Sequence, residues 1–231
     1  MYLKNRVFAI ILRAVGLLIG VAGVLVSSLS GSLFFSSWVF YTTMSNLLAI
    51  VYFAVTLART IIDTVKEGPH GRTSYYPTIA MIVAVDILVT FLVYWIMLAP
   101  TTDDQGRLVS FQNMAVHTIT PLLMIVDYLF FNRKRTLKRY TPLFVIIFPY
   151  LYIAFSLILG ANGYVFGKKL DGTIQRAPYF FLDIYNQGWL VLAYVVGLSV
   201  FFIGLSYLVY LLDRKGPAKE YFIYLNEDDR I

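Results

Sequence analysis

Six stretches of the chain are each long and apolar enough to cross a lipid bilayer as a helix, which takes about 20 largely apolar residues. Of the 231 residues, 59% are hydrophobic and 14% are charged, whereas a water-soluble domain carries about 25% charged residues. These features exclude a soluble fold and predict an all-α polytopic membrane protein, with residues 1–231 forming a single six-helix domain. The stretches cover approximately residues 7–28, 37–59, 78–99, 109–131, 142–161 and 188–212.

Positive charge is distributed unevenly between the two sides of this arrangement. The formal net charge is +6, and of the 19 Lys and Arg residues only Arg107, Lys168, Lys169 and Arg176 fall on the side opposite the termini. Because cationic residues concentrate on the cytoplasmic side, both termini are predicted to be cytoplasmic. The excess of positive charge on the side of the termini is a topological signal, and it also has affinity for anionic membrane lipid. We expect no nucleic-acid partner.

The sequence offers little material for a metal or cofactor site. It has no cysteine and two histidines, His70 and His117, which are too few for a histidine-rich metal centre. We therefore expect neither a metal ion nor a cofactor. The longest loop between predicted spans, residues 162–187, is too short for a separate domain. The function is thus expected within the membrane or at its outer rim.

Three charged side chains lie inside the predicted spans, where an ionisable group is costly and becomes a functional candidate. Arg13 is near the cytoplasmic end of the first span, and we expect its long side chain to extend back to the surface. Asp127 is near the cytoplasmic end of the fourth span, where we expect pairing with Arg133 or Arg135. Asp86 is deeper, and is either a helix-packing group or a proton or ion site.

A hydroxyl group and an imidazole fall at similar depth in the outer half of the bilayer. Thr42 lies in the outer part of the second span beside Thr43, and His117 lies in the outer part of the fourth span. A hydroxyl nucleophile and its base require such proximity. Asn46 and Asn113, each four residues from one of these groups, share their helix faces and are candidates to orient the base or stabilise an oxyanion. The alternative is structural: hydroxyls that bond to their own helix and a histidine that joins two helices.

Four sequence segments together resemble one family. They are YTTMSNLLAIVYF at 41–53, NMAVHTITPLLMIVDYLFF at 113–131, PYLY at 149–152 and PYFFLD at 178–183. In this order, and with the same span count, they resemble the androgen-induced-protein family of six-span membrane proteins and its bacterial relatives. The resemblance runs through spans two to six, and its specificity comes from the combination of the four segments.

The resemblance implies a chemistry. Animal members of that family are threonine hydrolases that cleave fatty acid esters of hydroxy fatty acids with one intramembrane threonine and one intramembrane histidine. The family threonine falls on Thr42, or on Thr43 if the match slips by one residue, and the family histidine falls on His117. The implied protein is an intramembrane hydrolase that cleaves a lipid or fatty-acyl ester through a Thr–His dyad and an acyl-enzyme.

Other features of the resemblance bear on the source and on the pocket. Pro121 follows the histidine at the fourth position, as in the bacterial relatives, which implies a bacterial-type member in the plasma membrane. Tyr179 and Asp183 match the family's loop before the sixth span, and they are predicted either to cover the site or to brace the fold. Asp86 is a further pocket candidate. The oligomeric state is left open.

Two other classes of function compete with the hydrolase. A small-molecule or ion transporter would use Asp86 and His117 as coupling groups, although the sequence lacks clear inverted repeats and its Gly16–Gly20 spacing fits helix packing better. A non-catalytic lipid-binding protein would use Thr42 and His117 only as hydrogen-bonding groups. Measurements of ester turnover, transport flux and lipid binding in substituted variants distinguish the three classes of function.

Overall fold

The computed structural model describes residues 2–30, 34–101, 105–168, 174–215 and 220–221. It contains six helices that are long and apolar enough to cross a membrane, which confirms the predicted all-α fold. Three of the cations counted above, Lys169, Lys219 and Arg230, lie outside the described residues. The six helices are α1 (Arg6–Leu29), α2 (Tyr41–Glu67), α3 (Pro77–Leu98), α4 (Phe111–Phe131), α5 (Thr141–Ala161) and α6 (Leu190–Lys215).

The observed helices follow the predicted spans, with two larger differences. Helix α2 continues to Glu67 because the polar segment after residue 59 extends the helix beyond the apolar stretch. Helix α5 opens with a 3-10 turn, Thr141–Ile146. Short helical turns in the connections are Phe34–Ser37, Ala99–Thr101, Gln105–Leu108, Phe180–Leu182 and Ile184–Gln187.

Two small sheets mark the two ends of the bundle. Strand β1 (Tyr2–Leu3), before α1, pairs in parallel with β4 (Glu220–Tyr221), after α6, so the chain enters and leaves the bundle at the same end. We call this the inner end. Strands β2 (Gly167–Lys168) and β3 (Ile174–Gln175) form an antiparallel hairpin in the loop between α5 and α6, at the outer end. An even number of spans is consistent with this arrangement.

Glycines on α1 allow close contact with its neighbours. A Cβ atom added at Gly16 would lie 2.7 Å from Cε2 of Phe53 on α2, and one added at Gly23 would lie 2.6 Å from Cβ of Ala115 on α4. Larger side chains at these positions would push the helices apart. Helix α1 therefore packs directly against the two helices that carry the candidate threonine and histidine, in the manner of small-residue packing in membranes.

A buried ion pair joins α1 to α4 toward the inner end. Nε of Arg13 donates to Oδ1 of Asp127 at 2.7 Å, and both side chains are fully buried. Arg13 also donates to Oγ1 of Thr60 at 2.6 Å, while the Tyr52 hydroxyl donates to Oδ2 of Asp127 at 3.0 Å. Nδ2 of Asn132 is a further donor to that carboxylate. The two charges are thus held in a hydrogen-bonded network, as burial of an ion pair requires.

This network corrects two expectations from the sequence. Arg13 does not extend back to the surface, because its guanidinium is taken up by Asp127 and by the carbonyl of Thr73. Asp127 is charge-paired as expected, but its partner is Arg13, 114 residues earlier in the chain, and the neighbouring Arg133 and Arg135 are exposed. The nearest cation in sequence is therefore not the nearest in space.

Candidate functional site

A narrow, mainly apolar pocket of about 70 Å³ opens near the outer end of the bundle. It lies between the start of α2, the outer part of α3, helices α5 and α6, and the segment 179–182. Thr42, Thr90 and Ser199 line it together with several tyrosines, and the remaining wall is aliphatic or aromatic. The lining residues are Tyr41, Thr42, Val89, Thr90, Val93, Tyr94, Leu98, Ile146, Pro149, Tyr150, Tyr152, Ile153, Tyr179, Phe181, Leu182, Val195, Leu198, Ser199 and Phe202.

The two adjacent threonines differ in their relation to this outer pocket. Thr42, the second residue of α2, is half-buried and lines the pocket. Thr43 is 6% exposed and is not part of the lining. Successive residues of a helix point in directions about 100° apart, and this rotation takes the Thr43 side chain out of the pocket lining. The geometry therefore favours Thr42 as the hydroxyl available to a bound molecule.

Tyr179 takes the place of a side-chain cap at the start of α2. The preceding residue, Phe40, provides no side-chain cap. Instead, the backbone N–H of Tyr41 donates to the Tyr179 hydroxyl at 3.1 Å, and that hydroxyl also contacts the Thr42 side chain and backbone N–H. Burial raises the pKa of Tyr179 above its ordinary value, against the opposing effect of these hydrogen bonds. Tyr179 therefore keeps its proton at neutral pH and lies beside the Thr42 hydroxyl.

A second tyrosine holds the same helix start. The Tyr152 hydroxyl donates to the carbonyl of Val39 at 3.1 Å, and its ring meets that of Tyr41 edge to face with centroids 5.2 Å apart. Tyr152 comes from the PYLY segment and Tyr179 from the PYFFLD segment. The structure thus brings three of the four sequence segments quoted above together around Thr42.

His117 lies in the remaining segment, residues 113–131. It is in a π-helical part of α4, Ala115–Ile119. Its ring stacks on that of Tyr94, with centroids 3.7 Å apart and planes 15° apart. Tyr94 begins a second π-helical segment, Tyr94–Leu98 on α3. His117 is half-buried and is not part of the pocket lining, whereas Tyr94 is. Tyr94 is therefore the residue that contacts both the outer pocket and the histidine.

Both π-helical segments precede a proline by the same distance. Pro100 comes two residues after Leu98, and Pro121 two residues after Ile119. A proline has no N–H to donate to the carbonyl four residues earlier. In the widened turn, backbone N–H groups bond instead to carbonyls five residues earlier. Such turns are frequent at functional sites. The widened turn that precedes Pro121 was not predicted from the sequence.

Asn46 bridges the threonine and histidine helices. Its Nδ2 donates to the carbonyl of Thr42 at 2.8 Å and to that of Val116 at 2.9 Å. These bonds use both N–H groups of the amide, so the expected role as an oxyanion donor does not fit this geometry. Its Oδ1 is buried and has no hydrogen-bond partner among the described residues. Asn46 fixes α2 against α4 next to His117.

Two other candidates lie away from the pocket lining. Nδ2 of Asn113 donates to the carbonyl of Leu108 at 2.9 Å and so closes the turn that leads into α4. Asp183 accepts the backbone N–H of Asn186 at 3.2 Å and caps the short helix Ile184–Gln187. Asn113 is therefore not placed as an oxyanion donor. Of the two loop residues, Tyr179 enters the pocket and Asp183 braces the loop.

Asp86 lies about one turn beneath the pocket, and its side chain is 1% exposed. The Tyr41 hydroxyl donates to its Oδ1 at 3.3 Å, and Oδ2 has no hydrogen-bond partner among the described residues. The Thr90 hydroxyl, which lines the pocket, contacts the backbone carbonyl of Asp86 at 3.2 Å and the Ser45 hydroxyl at 2.8 Å. A chain of polar groups thus leads from the pocket to a buried carboxyl group.

Together, the fold and these residues define a six-span integral membrane protein with a tyrosine-rich pocket near its outer end, and the lining of that pocket includes Thr42 and Thr90. Among the described residues, no group of three or more His, Cys, Asp or Glu side chains is placed to hold a metal ion. Comparison with protein-family models, with curated proteins and with solved structures finds no match to this chain.

Proposed function

We propose that the protein is an intramembrane threonine hydrolase that cleaves a lipid or fatty-acyl ester with Thr42 as nucleophile. The observation that carries the proposal is the position of Thr42, whose hydroxyl lies in a narrow apolar pocket beside Tyr179 and at the start of a helix. The sequence resemblance to the androgen-induced-protein family points to Thr42 or, with a one-residue slip, to Thr43.

The walls suit an acyl chain. Apolar residues of α6, including Val195, Leu198 and Phe202, form one side of the cavity, and the neighbouring Val196 and Val200 are exposed on the outer surface of the same helix. A lipid can therefore keep its tail in apolar surroundings while its ester group reaches the polar end of the pocket. Mostly apolar walls with a few placed polar groups are typical of small-molecule sites.

In the proposed reaction, the Oγ1 atom of Thr42 attacks the ester carbonyl while His117 takes the hydroxyl proton. The tetrahedral intermediate collapses, the alcohol leaves with that proton, and the acyl group remains on Thr42. Water then attacks the acyl ester, giving the free carboxylic acid and restoring the hydroxyl. The positive end of the α2 dipole and the Tyr179 hydroxyl are placed to stabilise the oxyanion.

Tyr94 governs the proton transfer in this scheme. Because the ring of Tyr94 lines the pocket and stacks on His117, the transfer from Thr42 requires that the ring shift or that its hydroxyl relay the proton. Catalytic hydrogen bonds are often long in a free enzyme and shorten when substrate binds. Substrate entry beside Tyr94 is the event that would bring the threonine and the histidine together.

The test is hydrolysis of a panel of lipid and short acyl esters by the purified protein in detergent. Thr42→Val removes the hydroxyl and keeps the side-chain shape, and Thr43→Val is its matched control. We expect at least about a 100-fold loss for Thr42→Val and for His117→Gln, and a change below about threefold for Thr43→Val. An inert wild-type protein, or equal activity in the two valine variants, would overturn the proposal.

A proton- or ion-coupled transporter is the second candidate, and the buried Asp86 favours it. Its carboxyl group makes no ion pair among the described residues and connects to the pocket through the Tyr41 hydroxyl. Flux into liposomes, measured with and without a pH gradient, tests this function. Loss of gradient-driven flux in Asp86→Asn with no ester turnover in the wild type would favour transport. Binding of lipid with neither activity would favour a lipid-binding protein.

The spans and the sequence resemblance together support a location in the bacterial plasma membrane. Six membrane-crossing helices fit an integral membrane protein, and the resemblance to bacterial-type members points to the bacterial plasma membrane. The distribution of Lys and Arg assigns the inner end to the cytoplasm. Labelling of single cysteines introduced at positions 66 and 185 with a membrane-impermeant reagent in whole cells tests the orientation, since only position 185 is expected to react.

A further inference from the structure

A second cavity, of about 660 Å³, lies at the inner end between the α4–α5 connection and the last turn of α6. We call it the basic cup. Its floor contains the buried side chains of Leu137 and Tyr210, and its walls carry four cations. These are Arg135, Lys138, Arg139 and Arg214.

Among the described residues, Asp213 is the acidic side chain next to the cup, and its carboxylate is already engaged. Asp213 is 3% exposed; it accepts the Tyr128 hydroxyl at 3.3 Å and the backbone N–H of Arg135 at 2.9 Å, and it lies 3.6 Å from Nζ of Lys134. Among the described residues, no carboxylate lines the cup. The charge of the cup is therefore positive, and Asp213 serves to hold its two walls together.

The cations can act jointly on one anion. Nη1 of Arg214 donates to the Tyr210 hydroxyl at 3.1 Å, which orients the guanidinium and leaves its other N–H groups for a ligand. Lys138 and Arg139 are exposed side chains of the α4–α5 connection that line the same cup. A planar guanidinium and further cations in one lining are the groups that bind phosphate in proteins.

The level of the cup in the bundle indicates the source of that phosphate. Helix α5 begins at Thr141 and α6 ends at Lys215, so the cup lies where the apolar spans end. Directly beyond it, Leu143, Phe144 and Leu211 are between 41% and 50% exposed on the outside of the bundle. A molecule with a phosphate in the cup could lay an acyl chain along these side chains, which a free phosphate ion cannot do.

We propose that the basic cup binds the headgroup of an anionic phospholipid, with the acyl chains against the inner halves of α5 and α6. Basic pockets between transmembrane helices on the cytoplasmic side bind such headgroups in other membrane proteins. The cup is at the opposite end of the bundle from Thr42. Lipid binding in the cup is therefore independent of the proposed hydrolase activity, and each can be tested without the other.

The experiment is native mass spectrometry of the full-length protein in detergent micelles, titrated with phosphatidylglycerol or with phosphatidylcholine. Lys138→Gln/Arg139→Gln/Arg214→Gln removes three charges from the cup. Arg59→Gln/Lys66→Gln removes exposed cations of α2 on the same side of the bundle. We expect phosphatidylglycerol to bind the wild type more tightly than phosphatidylcholine, and the cup variant to lose at least about tenfold in affinity. The α2 variant should lose less than about threefold.

Two further arms make the outcome decisive. The thermal unfolding midpoint of the cup variant is measured beside that of the wild type, and equal midpoints separate lost charge from lost folding. Inorganic phosphate and glycerol phosphate are titrated as competitors, and effective competition at low millimolar concentration would assign the cup to a soluble phosphate instead. Equal affinity for the two lipids, or equal loss in the cup and α2 variants, would overturn the proposal.

Discussion

The ring of Tyr94 lies on the imidazole of His117, with centroids 3.7 Å apart and planes within 15° of parallel. Next to this pair, Nε1 of Trp95 donates to the hydroxyl of Thr118 at 3.0 Å, so two consecutive residues of α3 engage two consecutive residues of α4. All four residues are in π-helical segments. The widened turns thus pack side by side and hold the histidine at the edge of the outer pocket.

Substitution of Tyr94 should affect hydrolysis through the ring more than through the hydroxyl. Tyr94→Phe keeps the stack on His117 and should keep kcat within about threefold of the wild type. Tyr94→Leu removes an aromatic contact of about 1 kcal/mol and should lower kcat about tenfold. The measurement is steady-state ester hydrolysis in detergent. A large loss of kcat in Tyr94→Phe would instead show that the hydroxyl relays the proton.

The number and approximate positions of the spans were predictable from sequence because they depend on the length of apolar stretches, although the polar extension of α2 to Glu67 was not. Contacts between helices were not, since they depend on the rotation and order of helices in the bundle. The pairing of Arg13 with Asp127 and the stacking of Tyr94 on His117 are of that kind. Thr42 was a candidate from its depth in the span and from the resemblance, and Tyr179 from the resemblance alone, but the choice of Thr42 over Thr43 needed the position of the pocket.

Removal of the Asn46 side chain should destabilise the protein more than removal of Asn113. Asn46→Ala deprives the buried carbonyl of Val116 of a donor and breaks the link between α2 and α4, at a cost of about 1–3 kcal/mol. Asn113 is half-buried and makes one bond to a loop carbonyl, so Asn113→Ala should cost about 1 kcal/mol or less. Thermal unfolding in detergent compares the two. Equal midpoints for both variants would contradict the bridging role of Asn46.

Tyr179 should make stability decrease at alkaline pH. Its pKa is raised in the folded protein by burial, whereas in the unfolded chain it has the ordinary value near about 10. Above that value the unfolded state loses the proton more readily, so stability is fully present below pH about 10 and falls as the pH rises further. Thermal midpoints between pH 8 and 11 measure the effect.

The control for that pH dependence is Tyr179→Phe, which removes the titrating hydroxyl. This variant should show a flatter alkaline profile than the wild type. It should also have a lower midpoint at pH 8, because α2 loses the hydroxyl that accepts the N–H of Tyr41. Parallel profiles for the two proteins would show that other groups cause the alkaline loss.

The buried pair formed by Arg13 and Asp127 should contribute far more to stability than the partly exposed pair formed by Arg6 and Glu67. Asp127→Leu leaves the guanidinium of Arg13 buried without its partner, at a cost of about 3–5 kcal/mol. Glu67 is 63% exposed, so solvent screens its interaction with Arg6, and Glu67→Gln should cost about 1 kcal/mol or less. Unfolding in mixed micelles with increasing denaturing detergent measures both.

Combining the two buried substitutions gives the sharper form of this prediction. Arg13→Met/Asp127→Leu removes both charges and restores an apolar interior, so it should be more stable than Asp127→Leu alone. The difference reports the penalty of an unpaired buried charge, since the leucine is common to both variants. If the double variant were less stable than either single one, the pair would be stabilising in its own right, and the Tyr52 and Asn132 hydrogen bonds to Asp127 would account for that result.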